Sequence, residues 1–367
     1  MKFSIEKDAL ITSLQSISSV IEKRQTMPVL ANILLVAEAA TLTMTGTNTE
    51  VELVAQLQEI NLEQEGRTTV PAKKFFDICR SLPEKAVLEV ESKDSRLQIK
   101  CGKSQFLLST LPAEHFPNVE DEEASVEVVL PQIELKRLIN ATAFAMAQQD
   151  VRYYLNGMLL ELHQEGLRTV TTDGHRLALA GTAINVGITE SRQPIIPRKA
   201  ILELSRLLDD SEENCKLVFA DKNVRAYIRH YIFTTKLIDG KFPDYQRVIP
   251  RGGNKTMVAD RLVLKEVLSR ASILSHESIR GVRLQFSAGE LRAFANNPEQ
   301  EEAEDSMEIE YDFESLQIGF NVSYLIDVLN VLTDNLVKMT LSDSNSSALV
   351  EGIESRDAVY VVMPMRL

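Results

Sequence analysis

Residues 171–176 read TTDGHR, and Asp173 with His175 two positions on is the pair in this chain whose types and spacing come closest to chemistry. A carboxylate beside an imidazole can serve as general acid and base, or as two ligands of a metal ion. The same run has the composition of a turn, because Gly174 can take a positive φ and an Asp side chain bonds its own backbone two residues on. The five histidines are scattered, and no phosphate loop or nucleophile set accompanies the pair. Whether Asp173 and His175 act as chemistry or as a turn depends on the elements that hold them, and on whether the place recurs in the chain.

At 367 residues the chain exceeds one ordinary core and suggests two or three domains. Hydrophobic residues make up 44%, enough for packed interiors. No run approaches the roughly 18 apolar residues of a membrane helix, so a soluble protein with no membrane partner is expected. The opening MKFSIEKDAL lacks the apolar core of a signal peptide and reads as a strand followed by a helix, which gives no argument for export. Cys79, Cys101 and Cys215 lack C-x-x-C spacing; this points to neither a disulfide framework nor a zinc site, fits the cytosol, and implies no metal or cofactor. The formal charge of -13 opposes a wholly basic nucleic-acid binder, but only if charge is spread evenly.

The chain repeats itself about every 125 residues, a period of domain size rather than of a solenoid. NILLVAEAATLTMTGTNTEVEL from Asn32, GMLLELHQEGLRTVTTDGHRLAL from Gly157 and GVRLQFSAGELRAFANNPEQEE from Gly281 each give an apolar run, a turn and then a leucine: Leu42, Leu167 and Leu291. In a second block Phe75, Ile78 and Leu82 match Ile201, Leu204 and Leu208, then Leu325, Val328 and Leu332, the i, i+3, i+7 spacing of one helix face. A third block opens each copy with a strand and a helix led by Leu10, Leu14 and Ile17, by Leu135 and Leu138, and by Leu264 and Leu268. The first two copies also share Phe116-Pro117 and Phe242-Pro243 near their ends. Alternating runs such as VRAYIRHYIFTTKL read as antiparallel strands. The fold class is therefore α+β, three tandem domains of two helices packed on antiparallel sheets, at 1–125, 126–253 and 254–367, with boundaries in the polar NVEDEEASVE and PRGGNK. The place of TTDGHR is held by GTNTEV in the first copy and ANNPEQ in the third. A catalytic role shared by the copies is excluded; a role private to the second stays open.

Helices are predicted over 7–24, 72–82, 132–147, 198–208, 261–272 and 322–332. They hold 14 of the 40 basic residues and 7 of the 53 acidic ones, leaving 26 basic against 46 acidic residues elsewhere. Only the sixth helix has no basic residue. A basic helical layer backed by an acidic remainder could follow phosphate without reading bases, and so slide. A domain of about 122 residues has a diameter near 35 Å treated as a sphere. Three such spheres in a ring leave a hole of about 5 Å, six leave about 35 Å, and a duplex is roughly 20 Å across. One chain cannot encircle DNA; two could.

The tandem copies and basic helices, with AMAQQDVRYYLNGM, TTDGHRLAL, DGKFPDYQRVIPR, NNPEQEEAE and VVMPMRL, make this sequence resemble the bacterial DNA polymerase III β subunit family, the sliding clamps, over essentially its whole length. The resemblance implies three DNA-clamp domains, a head-to-tail homodimer closed into a ring with helices lining the hole, and no catalysis. Its implied partners are double-stranded DNA of any sequence, a clamp loader, replicative and translesion polymerases, and mismatch-repair and ligase-type proteins that bring short peptide motifs.

The resemblance also implies three surfaces. For DNA it points to Arg24, Gln149, Tyr153 and Tyr154, with Arg198 and Lys199 beside them. The tyrosines could stack on a strand or fill a core. Known members carry His at the place of Gln148, which leaves contact by Gln148 open. For the ring joint, Phe106 and Leu108 of one chain would meet Ile273 and Leu274 of the other, with Lys74 and Arg96 facing Glu299, Glu301 and Glu304. The implied peptide cleft comprises Leu155, Thr172, Gly174, His175, Arg176, Leu177, Pro243, Arg247, Val248, Ser347, Val361, Met363, Pro364, Met365 and Arg366. Methionines suit a cleft that accepts several partners, because their side chains repack easily; the last run also reads as a buried strand. Two other classes stand beside the clamp: a hydrolase or metalloenzyme on Asp173 and His175, and a protein scaffold that binds no DNA.

Overall fold

Each of the six α-helices follows a strand with no connecting loop. Strand Lys2–Glu6 runs into α1 (Lys7–Val20), Gly66–Pro71 into α2 (Ala72–Ser81), Val126–Pro131 into α3 (Gln132–Thr142), Ile195–Pro197 into α4 (Arg198–Leu207), Lys255–Asp260 into α5 (Arg261–Ser272) and Leu316–Asn321 into α6 (Val322–Val331). Three of these strands end in Pro, whose φ is fixed at about -65° and suits the step into a helix. Two end in a capping side chain: Asp260 accepts from the N–H groups of Leu262 and Val263, each at 2.9 Å, and Asn321 from that of Ser323 at 2.9 Å. The computed structural model describes residues 1–22, 27–117, 125–164, 166–184, 186–188, 191–355 and 357–366.

All six predicted helices are present; α5 matches its expected span, α2, α4 and α6 end one residue early, and α1 and α3 end four and five residues early. α1 ends at Val20, and residues 23 and 24 lie outside the described residues. α3 stops at Thr142 rather than 147, and a 3-10 turn, Ala143–Ala145, follows. Two hydrogen bonds mark this end: the Thr142 carbonyl accepts from Thr171 Oγ1, on a strand distant in the chain, at 2.5 Å, and Thr142 Oγ1 bonds back to the Leu138 carbonyl at 2.9 Å. The repeated apolar positions pack as their spacing requires. Leu42, Leu167 and Leu291 are fully buried, as are Phe75 and Ile201, and Leu325, Val328 and Leu332 are buried beside them; Ile78 alone of that set is half-covered.

Residue contacts divide the chain into two units: residues 1–133 with 202–237, and residues 134–201 with 238–367. In the first unit a five-stranded sheet ends at the edge strand Ser104–Ser109, and an eight-stranded sheet crosses from the first copy into the second. The crossing is the pairing of Val51–Leu57 with Tyr231–Lys236, register Leu53 to Phe233. α1 buries Leu10, Leu14 and Ile17, and it lies so close to strand Thr41–Thr47 that a Cβ on Gly46 would stand 2.6 Å from Ile17 Cγ2. In the second unit another eight-stranded sheet crosses from the second copy into the third, Arg176–Thr182 pairing with Ala358–Val362, register Ala178 to Tyr360. A four-stranded sheet there ends at the edge strand Glu302–Glu308, and α5 and α6 pack on each other. Both crossings use the fourth strand of one copy and the last strand of the next. Cys79 and Cys215 are buried, which pushes their thiols up to about 12 and about 11, and no cysteine is paired.

Candidate functional site

The run TTDGHR is the turn between strands Gly166–Thr172 and Arg176–Thr182. Thr172 Oγ1 accepts from the Gly174 N–H at 3.1 Å, and Asp173 Oδ1 accepts from those of His175 and Arg176 at 2.9 and 3.0 Å. Asp173 Oδ2 takes Arg176 Nε at 3.1 Å. Both carboxylate oxygens are thus committed to holding the turn, and Gly174 takes φ +89°. The first copy builds the same turn without ionisable chemistry. Thr47 Oγ1 accepts from Thr49, Asn48 Oδ1 accepts from Glu50 and Val51, and the Thr hydroxyl donates to the carbonyl four residues on in both copies. This geometry answers the question of Asp173: it shapes a surface.

That surface is pinned from below by Arg176. Its guanidinium donates to Asp173, to Asp327 of α6 at 2.5 Å and to the Phe144 carbonyl at 2.8 Å, and lies over the rings of Tyr324 and Phe144 at 4.5 and 5.1 Å. The helix without a basic residue therefore uses its one acid here. The floor beside the turn is an apolar cluster that includes Leu155, Leu159, Val170, Leu177, Phe242, Tyr245 and Val361. Leu155, Leu177 and Val361 are buried, so these three candidates support the cleft from beneath. Thr172, Gly174, Arg176, Ser347, Met363, Pro364 and Met365 are half-buried, and His175, Pro243, Arg247, Val248 and Arg366 are exposed. The last strand stops at Val362; beyond it Met363 N–H donates to the His175 carbonyl at 3.0 Å and Met365 N–H to that of Gly319 at 2.8 Å. The two methionines are held at the rim. A cavity of about 400 Å³, lined by Met146, Gln148, His175 and Tyr324 among others, flanks the turn, and another of about 520 Å³ lies over Arg247 and Val248. Sequence reasoning missed Phe144, Tyr324 and Asp327, which come from other elements and carry no motif.

The segment that holds Gln149, Tyr153 and Tyr154 adjoins the turn. Arg152 grips Asp150 with Nε at 3.0 Å and Nη2 at 2.9 Å, and its Nη2 also donates to the Asp173 carbonyl at 3.2 Å. Hydrogen bonds from the Arg152 side chain and backbone hold the Asp150 carboxyl down at about 2. Tyr153 is 56% exposed, which removes it from any core, and its ring meets Tyr154 edge-on at 5.7 Å; Tyr154 packs partly against the apolar cluster. Gln149 is exposed at φ +54°. Arg198 donates to the Ala143 and Met146 carbonyls at 3.4 and 3.2 Å, and burial lowers its pKa. Lys199 is half-buried, and Arg24 lies outside the described residues.

The basic layer is more neutralised than its count implied. Arg80 pairs with Asp77, Arg137 with Glu134 and Asp357, Arg206 with Glu203, and Arg270 with Asp305 and Glu266. Lys7 and Arg261, like Arg198, bond backbone carbonyls. Helical arginines spend their donors at home, while Lys73 and Lys74 stay exposed.

At the edge strand Ser104–Ser109, Phe106 is half-exposed, Leu108 is 9% exposed, and Leu107 is 50% exposed. Lys74 and Arg96 are exposed. In the second unit Ile273 is 75% exposed, Leu274 half-buried, and Glu299, Glu301 and Glu304 project at or beside the other edge strand, where Arg292 reaches Glu304 at 3.8 Å.

Three domain families match the chain in order: DNA polymerase III beta subunit, N-terminal domain, over residues 1–120; its central domain over 129–244; and its C-terminal domain over 246–366. The beta sliding clamp of Pseudomonas putida is 52% identical and that of Escherichia coli K12 is 49% identical, each over the full length of both chains. The solved Pseudomonas aeruginosa sliding clamp bound to griselimycin is 51% identical with a TM-score of 0.98, and Caulobacter crescentus pol III beta is 36% identical with a TM-score of 0.95, both covering all of each chain.

Proposed function

The chain belongs to the DNA polymerase III beta subunit family, the sliding clamps, and on that premise we propose that two copies close head-to-tail into a ring around duplex DNA. The protein is a DNA sliding clamp, a non-catalytic processivity factor of DNA replication. The observation that carries the ring is the repeated joint. Within each unit the fourth strand of one copy pairs with the last strand of the next. That rule leaves one fourth strand, Glu302–Glu308, and one last strand, Ser104–Ser109, as open edges of their sheets. A second chain supplies the partner for each, and because the two edges differ, the contact is head-to-tail. Charge agrees: Glu302, Glu304 and Glu308 lie on one edge, and Arg96, Lys100 and Lys103 lie beside the other. Phe106, Leu108, Ile273 and Leu274 form the apolar part of the joint, with the exposed Leu107 beside them and Lys74, Glu299 and Glu301 flanking it.

In this reading the three domains span 1–125, 126–253 and 254–367 and work in the cytoplasm. Arg24, Gln149, Tyr153, Tyr154 and Lys199 touch DNA, with Arg198 holding their support in place. The surface around His175, Arg176, Pro243, Arg247, Val248, Ser347, Met363, Pro364, Met365 and Arg366, over the floor of Leu155, Thr172, Gly174, Leu177 and Val361, takes the short peptides of a clamp loader, polymerases and repair proteins. The relative bound to griselimycin supports a ligand-binding cleft. Solution mass tests the joint: the 41.1 kDa chain should run at about twice that mass. Ile273→Asp should shift it to single mass with the thermal transition of each chain intact; a wild-type protein of single mass would remove the ring.

A further inference from the structure

Adjoining the cavity over Arg247 and Val248 lies one of about 710 Å³ that no cleft candidate lines, walled by His163, Arg168, Gly181, Tyr245, Arg251 and Asp357 among others. Its charge is set by which acids are already occupied. Glu161, 3% exposed, stands behind it and accepts from Tyr245 Oη at 2.5 Å and Gln193 Nε2 at 2.9 Å, with His163 Nε2 at 3.1 Å. Burial alone would raise its carboxyl, but these donors outweigh burial and hold it low. Asp357, at the rim, is bound to Arg137. Arg168 approaches Glu161 only to 3.6 Å and is about half exposed, and Arg251 is exposed with no ion pair among the described residues. Two guanidinium groups therefore face the cavity with donors to spare.

Two further features shape it for a chain rather than for a free ion. Arg168 stands opposite Gly181 across the strand pair, and a Cβ there would press on Arg168 Cγ at 3.3 Å, so the glycine lets the arginine stem lie across the sheet toward the cavity. Gln246, Ile249 and Arg251 line both this cavity and the neighbouring one over Arg247 and Val248. Arg251 thus joins the cavity over Val248 to the wall that carries Arg168. We infer that this cavity is a second binding site, which takes acidic side chains flanking the peptide held in the cleft; the inference rests on the cleft reading above.

Peptides with one common apolar core, matched to the apolar floor of the cleft and flanked on either side by Glu-Glu, Gln-Gln or Lys-Lys, test it when titrated into the full-length protein at low salt. The Glu-flanked peptide should bind about five-fold more tightly than the Gln-flanked one, and R168Q/R251Q should abolish that ratio while leaving the affinity of the Gln-flanked peptide unchanged. Equal affinities for the Glu and Gln forms, or a ratio that survives in R168Q/R251Q, would overturn the second site. A short oligothymidylate that binds in place of the acidic flank, and is lost in R168Q/R251Q, would assign the cavity to nucleic acid and overturn it as well. If no peptide binds at all, the cleft reading fails first and the second site falls with it.

Discussion

Asn48 and Asp173 cap the same turn in two copies of the repeat: each side-chain oxygen accepts the backbone N–H two and three residues on, at 3.1 and 2.8 Å for Asn48 and at 2.9 and 3.0 Å for Asp173. An uncharged residue thus does in the first copy what the carboxylate does in the second. Asp173→Ala should cost about 1–2 kcal/mol in urea unfolding and weaken peptide binding, because the His175 carbonyl that holds Met363 sits on this turn. Asp173→Asn should retain more than half of what Ala loses. Equal losses for the two variants would mean that the charge, and not the cap, is what matters.

Arg176 and Asp327 should behave as one unit. The Arg176 side chain is 11% exposed and Asp327 39%. Arg176→Ala leaves a carbonyl and two carboxylates without their donor and strips two ring faces, so about 2–4 kcal/mol of stability should go. Asp327→Ala should cost about 1 kcal/mol, and the double variant should lose less than the two together. Additive losses would show that the turn and α6 are not coupled through this pair.

Asp150 gives a pH signature with a definite sign. Its folded carboxyl titrates at about 2, below the ordinary 3.8, because Arg152 bonds the ionised form. A depressed folded value contributes stability that is present above the unfolded value and lost as pH falls through about 2. A side-chain carboxyl NMR titration should find Asp150 ionised across about pH 3 to 5, and Arg152→Gln should move its midpoint up toward 3.8. An ordinary midpoint in the unaltered protein would refute the Arg152 grip.

The triplication was legible because it repeats apolar spacing, and burial of Leu42, Leu167 and Leu291 depends on little else. The length of α3 was not, since its end is set by Thr171, a residue of a distant strand. The turn at Asp173 could be read from composition, but its support by Tyr324 and Asp327 could not. Those residues sit on α6, and only tertiary packing brings them within reach of Arg176. The count of basic residues on helices overstated the open charge for two reasons: pairs three or four residues apart, such as Arg80 with Asp77 and Arg206 with Glu203, neutralise charge within one helix, and pairs such as Arg270 with Asp305 join residues far apart in the chain.

The central claim, that this clamp holds DNA by enclosing it, is tested most directly by retention on one plasmid before and after cutting. Protein loaded onto a nicked circle should stay bound through gel filtration and leave promptly once a single cut gives free ends. Equal retention on the circle and on the linear form would contradict enclosure.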